Sequence, residues 1–351
     1  LKPPRWLENT GMARGLWQTM RAVLVCLAYR MTTALPPAGG SVASPPAKLF
    51  VCGLGYCGLR AAIAWHEAYP DCVVSGSVRS REKADALRAR FSWLEAHTFD
   101  LDENYVGLDE PGRASLASAS HILQTMPPIA DLDKDPLLAL HYDTLRDSDC
   151  LVSAAYLSST GVYGDHSGDW VDEDSELRPM DLKSQARVPA EAAWMALSLE
   201  ERLRTSPCTV SVYRLGGIYG PGRSLLDQAR RGEAPPLLAR RRPWVNRIYV
   251  EDIAGALVVA ADRRGPARVY NLVDDEPAPR SDMISLARRL LGLAEAGVGK
   301  LPQAAGGRRM RSTGSKRVRN TRLRGELGYE FKAPTYREGL AILLEAELGL
   351  A

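Results

Sequence analysis

From Lys48 onward, short continuous apolar runs alternate with longer stretches whose apolar residues recur at helical spacing. The run Lys48-Leu-Phe-Val-Cys52 is apolar after its first residue, as expected of a strand buried on both faces. It passes through Gly53-Leu-Gly-Tyr-Cys-Gly58 into Leu59-Arg-Ala-Ala-Ile-Ala-Trp65, a good helix former. Further strands are predicted at Cys72–Val78, around His97–Asp100, at His121–Met126 (stopped by Pro127 and Pro128), and from Cys150 to Ser158. Strands alternating with helices in this way predict an α/β fold with a parallel, doubly wound sheet of the Rossmann type.

The first 47 residues break the pattern. No acidic residue stands between Glu8 and Glu67, while Arg5, Arg14, Arg21 and Arg30 recur along the segment. Its longest apolar run, Ala22 to Tyr29, is far shorter than the roughly 20 residues a membrane-spanning helix needs. An Arg-rich, acid-poor leader followed by a Pro- and Gly-rich joint has the composition of an organellar transit peptide. Residues 1–47 are therefore set aside from the fold and imply a plastid or mitochondrial destination. The other reading, with Met12 or Met31 as the start, implies a cytoplasmic one.

Composition bounds the rest. The 351 residues are 45% hydrophobic and 25% charged, which excludes a disordered, collagen-like or disulfide-stapled chain. The net charge of +3 hides an asymmetry. Two basic segments, residues 1–48 and 300–332, flank an acidic body. The six cysteines form no Cys-x-x-Cys pair and have no His partner at metal spacing, so they read as reduced thiols and no metal centre is predicted.

The motif at Gly53, Gly55 and Gly58 carries the first chemistry. Between a strand and a helix, the first glycine permits a tight turn, the second lets backbone approach a pyrophosphate, and the third lets helix and strand pack closely. The helix N-terminus then offers free N–H groups to phosphate. An NAD site usually has Asp or Glu near the end of the second strand; here Arg79 stands there, with Lys83 shortly after. A guanidinium suits a 2′-phosphate, so NADP is expected over NAD. Tyr56 and Cys57 within the motif, and Asp100, Gln124, Thr125 and Pro127 at later strand ends, complete the expected cofactor site.

Later segments resemble the extended short-chain dehydrogenase/reductase family, that of the NAD-dependent epimerases and dehydratases. They are Tyr156-Leu-Ser-Ser-Thr-Gly-Val-Tyr-Gly164, Val171 to Pro179, Tyr213-Arg-Leu-Gly-Gly-Ile-Tyr-Gly-Pro-Gly-Arg223, Asn246-Arg-Ile-Tyr-Val-Glu-Asp252 and Val269-Tyr-Asn-Leu-Val-Asp-Asp275. The resemblance spans about residues 48–345 and implies a sheet of about seven strands with a small C-terminal substrate domain. Residues 48–215 would be mainly dinucleotide-binding and 216–345 mainly substrate-side, with 244–272 returning to the sheet. A homodimer is usual in the family. The glycine spacing departs from the G-x-x-G-x-x-G of typical extended members and is closer to an atypical, epimerase-like subgroup.

The resemblance also exposes a loss. The family's active-site Ser or Thr falls on Ser159, but its Tyr-x-x-x-Lys pair is missing. Matching Glu191 to the Glu the family often shows puts Arg187 at the Lys position and Lys183 at the Tyr position. No tyrosine stands between Tyr163 and Tyr213. Ser159, Lys183 and Arg187 are the catalytic candidates, with Tyr163, His166 or Tyr156 as substitutes; Tyr163 also reads as a packing residue and His166 as a surface one. Lysine is a base near neutrality only when desolvated, and arginine stays protonated.

On the substrate side, the resemblance points to Arg214, Tyr219, Arg223 and Arg247, whose arginines suit a phosphorylated or acidic substrate. Arg214, beside a strand, could equally pair with a neighbouring carboxylate. The acid-rich loop Asp165–Glu176 reads as solvated. The basic stretch Arg308–Arg324 matches the family's segment before the closing helix and lacks the interleaved aromatics of a nucleic-acid patch. The expected function is an NADP-dependent oxidoreductase or epimerase acting on a phosphorylated or nucleotide-linked small molecule. The alternative is an inactive dinucleotide-binding sensor or assembly protein. No membrane partner is expected.

Overall fold

Strand β1 (Lys48–Cys52) lies near the middle of an eight-stranded sheet. The computed structural model describes residues 47–101, 106–129, 135–200, 208–232, 242–293 and 314–350. The predicted leader thus lies outside the described residues except for Ala47. The sequence reads as surface loops at 235–242 and 305–308, and all of these but Arg242 lie outside the described residues as well.

On one side of β1 come β2 (Val73–Val78), β3 (Leu94–Asp100) and the short β4 (Gly107–Leu108). On the other come β5 (His121–Gln124), β6 (Ser153–Ser159), β8 (Thr209–Leu215) and β12 (Arg268–Leu272). Seven strands run parallel, and only β4 pairs antiparallel, with β3. The chain builds outward from β1 in one direction, then returns to start again at β5. The crevice between β1 and β5 is the topological switch point, where open α/β sheets place their ligands.

Helices cover both faces. Helices α1 (Tyr56–Ala68) and α2 (Arg81–Arg90) share one core with α7 (Val250–Val259). Helices α3 (Glu110–Ala117), α4 (Pro136–Arg146) and α5 (Leu182–Leu197) share the other. Their starts are written locally. Ser80, Asp109, Asp135 and Asp181 each accept a backbone N–H from the first turn that follows, satisfying donors the helix cannot pair itself.

A smaller C-terminal unit packs around Tyr219, Tyr249 and Tyr336. It contains β9 (Gly217–Tyr219), α6 (Leu225–Arg230), β11 (Arg247–Tyr249), α8 (Arg280–Leu290) and α10 (Tyr336–Glu347). Strand β9 pairs with β11, and β10 (Trp244–Val245) with β13 (Ala278–Pro279). Helix α9 (Thr321–Leu327) returns to the main body, placing Leu323 in the first core.

The acid-rich loop keeps Asp169, Asp172, Asp174 and Glu176 exposed, as its sequence suggests, but its inner side docks on the basic segment. Strand β14 (Arg317–Val318) pairs in parallel with β7 (Trp170–Val171). Arg322 bonds to Asp174 at 2.5 Å, and the Ser315 N–H donates to Asp165 at 2.9 Å. The Arg317 guanidinium stacks over both Trp170 and Trp244. Part of the basic segment's charge thus meets the acidic loop, while Arg324 pairs with Asp275 instead.

Candidate active site

The glycine turn has the geometry its spacing predicted. Gly53 has φ +93°, a left-handed conformation that favours glycine. A Cβ at Gly58 would stand 2.1 Å from the Gly53 carbonyl oxygen, so the third glycine lets α1 close onto β1. A Cβ at Gly55 would meet nothing within 4 Å, so the second glycine borders open space at the start of α1. Across the switch point, the Thr125 hydroxyl lies within hydrogen-bond distance of the Cys52 and Gly53 carbonyls, at 2.9 and 2.7 Å. Pro127 is exposed beyond it, and Asp100 closes β3 at the same edge of the sheet.

Arg79 follows the last residue of β2 and is exposed, forming no ion pair among the described residues. Lys83 lies in the first turn of α2, where its N–H is capped by Ser80. Gln124 differs from expectation. Its side chain is fully buried, with Nε2 donating to both Asp135 oxygens at 2.8 and 2.9 Å and Oε1 accepting the Met126 N–H. Gln124 therefore shapes the wall behind the crevice rather than presenting an amide to it. Burial lifts the Cys57 thiol to about 11, so it is a packing residue rather than a nucleophile.

At the end of β6, Ser159 accepts the Gly161 N–H at 3.1 Å, which leaves its own hydroxyl proton to donate. Arg187 reaches back from α5 to the Leu157 carbonyl at 2.9 Å, beside the Tyr156 hydroxyl. Lys183 is exposed on the first turn of α5, outside the low-dielectric surroundings that a lysine base requires. Its neighbour Ser184 is the buried one. A Cβ at Gly161 would stand 2.6 Å from the Ser184 Oγ and 3.2 Å from the Ser159 Oγ, so the two serines flank the same glycine. Ser184 in turn donates to Asp181 at 3.2 Å.

Tyr163 and Arg214 lie elsewhere than a cleft. Arg214 is 5% exposed and pairs with Glu191, its Nη2 2.7 Å from the carboxylate. It also donates to the Tyr163 hydroxyl at 2.9 Å, and that hydroxyl donates to Asn271 at 2.7 Å. Burial pushes the Tyr163 phenol up to about 12 despite the Arg214 charge. With both sides of its hydroxyl engaged, Tyr163 holds β6, β8 and β12 together rather than moving protons. Arg214 is that network's internal counter-ion.

The other three substrate candidates converge. Tyr219, Arg223 and Arg247 line a cavity of about 180 Å³ with Gly217, Ser224 and Gln228. It opens beyond the end of β8, whose Leu215 is in register with Ser159. The cavity also touches the cofactor side. The Tyr56 hydroxyl donates to the Pro221 carbonyl at 3.1 Å, and Arg223 lies over the Tyr56 ring at 5.6 Å.

Sequence reasoning assigned no role to four residues here. Gln228, Ser184, Asp274 and Lys316 are placed by the tertiary structure alone. Asp274 lies inside a motif already singled out, which was the nearest available signal. Lys316 is buried beneath the acidic loop, donating to the Gly164 carbonyl at 2.9 Å. Burial pulls its ammonium down to about 8, with Asp165 and Asp181 opposing. No cluster of possible metal ligands occurs among the described residues, nor is any described helix long and apolar enough to cross a membrane.

No family profile matches the chain. It is 33% identical to a conserved protein of unknown function from Silicibacter pomeroyi, covering 86% of this chain and 99% of that one, with a TM-score of 0.68. It is 26% identical to Protein YeeZ of Escherichia coli, over 82% of this chain and 96% of YeeZ. The UDP-glucose 4-epimerase of Thermotoga maritima, solved with UDP-glucose, shares the fold at 17% identity, with a TM-score of 0.64 over 86% of this chain and 99% of that one. The fold agrees with the glycine turn and the ordered motifs: the structural neighbours of this chain are proteins of the NAD-dependent epimerase/dehydratase, or extended short-chain dehydrogenase/reductase, fold.

Proposed function

We propose that this chain is an NADP-dependent oxidoreductase or epimerase acting on an acidic small molecule, phosphorylated or nucleotide-linked. The observation that carries the reading is the contact between its two candidate sites: Tyr56 of the glycine turn touches Pro221 and Arg223, at the edge of the arginine-lined cavity. A dinucleotide at the switch point and an anion in that cavity would be neighbours. Proteins of this fold have been solved with NAD and with NADPH. The preference for NADP rests on Arg79 and Lys83 at the start of α2, where a guanidinium and helix N–H groups suit a 2′-phosphate.

A bound nicotinamide would supply hydride transfer. The chain's own residues would do the rest. Gly55 leaves room for the pyrophosphate at the α1 N-terminus, and Thr125 keeps the facing turn closed. Ser159, whose oxygen already accepts the Gly161 N–H, would donate its proton to a substrate oxygen. Arg187 would contribute fixed positive charge from behind β6. Arg223 and Arg247 would hold the substrate's anionic group.

The test is a calorimetric titration of the full chain with NADPH and NADH, repeated on Arg79→Ala. Tight NADPH binding that weakens about tenfold or more in the variant, with NADH poorer throughout, supports the reading. Binding of neither nucleotide would overturn it. The second reading, a dinucleotide sensor without hydride chemistry, is favoured by the missing tyrosine and the exposure of Lys183. NADPH binding without turnover over a panel of sugar phosphates and sugar nucleotides would select it. If turnover is found, Ser159→Ala should lower kcat by about a hundredfold.

A further inference from the structure

A rigid turn carries Arg223 to the start of α1. The Arg223 N–H donates to the Gly220 carbonyl at 3.0 Å and the Gly220 N–H to the Arg223 carbonyl at 3.1 Å, closing the chain around Pro221 and Gly222. Gly222 has φ +70°, and Pro-Gly is the favoured central pair of a type II turn: proline presets one angle and glycine supplies the left-handed one. The turn rests on Tyr56, whose hydroxyl donates to the Pro221 carbonyl at 3.1 Å. Only glycine fits at that contact, since a Cβ at Gly220 would stand 2.6 Å from the Tyr56 hydroxyl and 2.5 Å from Val250 Cγ1. Tyr56 is itself the first residue of α1. A distant loop is thus pinned at the helix end where a pyrophosphate is expected.

Two guanidinium groups flank the Tyr56 ring, and they differ in what balances them. Arg60, one turn into α1, forms an ion pair with Glu251 of α7. Arg223 is exposed, lies over the ring at 5.6 Å and forms no ion pair among the described residues. Cys57, the second residue of α1, feels the Arg223 charge more strongly than that of Arg60, and Arg247 in the cavity feels Arg223 as well. Arg223 therefore stands between the first turn of α1 and the cavity. A cation held beside the positive end of a helix and near other guanidinium groups is unfavourable while nothing lies between them. The same placement becomes favourable once an anion does, because the guanidinium and the free N–H groups of the helix then share it.

We infer that Arg223 is a ligand of the dinucleotide's pyrophosphate as well as a wall of the cavity. A guanidinium has several N–H donors in a fixed fork, so some can hold a diphosphate oxygen while others face an anion in the cavity. The inference rests on the dinucleotide part of the proposed function and adds to it a cofactor ligand supplied by the C-terminal unit.

The experiment titrates NADPH and NADH by calorimetry into the full chain and into its Arg223→Gln, Arg223→Lys and Arg79→Ala variants. Both nucleotides carry the pyrophosphate, so Arg223→Gln should weaken both by the same factor, about tenfold or more. Arg79→Ala should weaken NADPH alone. Arg223→Lys keeps the charge without the fork and should recover part of the loss. The Arg223 side chain is exposed and its turn is closed by backbone, so both Arg223 variants should melt with the wild type. Unchanged affinities in Arg223→Gln would overturn the inference and leave the proposed function standing, and so would a loss confined to NADPH. Tighter binding of NADH than NADPH, with both weakened in Arg223→Gln, would strike the NADP preference and leave Arg223 on the pyrophosphate. Binding of neither nucleotide to the wild type would overturn both.

Discussion

The Tyr56 hydroxyl donates a hydrogen bond to the Pro221 carbonyl, joining the glycine turn to a loop 165 residues further along the chain. The same ring lies between the Arg60 and Arg223 guanidinium groups, at 5.2 and 5.6 Å. A residue next to the expected pyrophosphate thereby fixes an arginine of the substrate-side cavity.

That contact predicts a graded loss. Tyr56→Phe removes one hydrogen bond and keeps the ring, so the unfolding free energy should fall by about 1 kcal/mol. Tyr56→Ala also removes the cation–π contact and should cost about 1 kcal/mol more. Calorimetry on the two variants checks the order.

The glycines separate fold from function. Gly55→Ala places a methyl in open space at φ −85°, so the thermal midpoint should hold while NADPH affinity falls by about tenfold or more. Gly58→Ala drives a Cβ against the Gly53 carbonyl and should destabilise the chain by about 1–3 kcal/mol or more. Paired melting and NADPH titrations distinguish the two.

Glu191 and Arg214 form a buried ion pair, each about 5% exposed or less. Glu191→Ala should cost about 3–5 kcal/mol of unfolding free energy, since it strands the Arg214 charge and frees the Ser158 hydroxyl. Urea denaturation reads it directly.

Stability should fall on mild acidification. Burial pulls His121 and His141 down to about 4, and His141 Nε2 accepts the Leu108 N–H at 3.1 Å. Both are neutral in the fold, so their contribution is complete above about 6.5 and is lost as pH falls toward 4, by up to about 3 kcal/mol each. Asp135 runs the other way. Burial raises it to about 6, so its effect on stability improves as pH falls through the same window. Asp135→Asn should therefore steepen the acid loss seen in urea titrations between pH 7 and 4. His141→Gln should flatten it.

Much of this was legible in the sequence because it is local. The apolar runs at Lys48–Cys52 and Cys72–Val78 and the three glycines act within a few residues of themselves. Backbone sterics and short-range hydrogen bonds suffice to determine them. The absence of a tyrosine between Tyr163 and Tyr213 is likewise a fact of sequence, and no packing changes it.

Tertiary structure decided the rest. Whether Arg214 meets a ligand or Glu191 depends on α5 crossing β8. Whether the basic segment meets nucleic acid or the acidic loop depends on β14 reaching β7. Arg223 and Arg247 share one small cavity only because β9 pairs with β11. Side-chain type gives the charge and the hydrogen-bonding capacity of each group. Burial and neighbours, which come from distant parts of the chain, determine how that capacity is used.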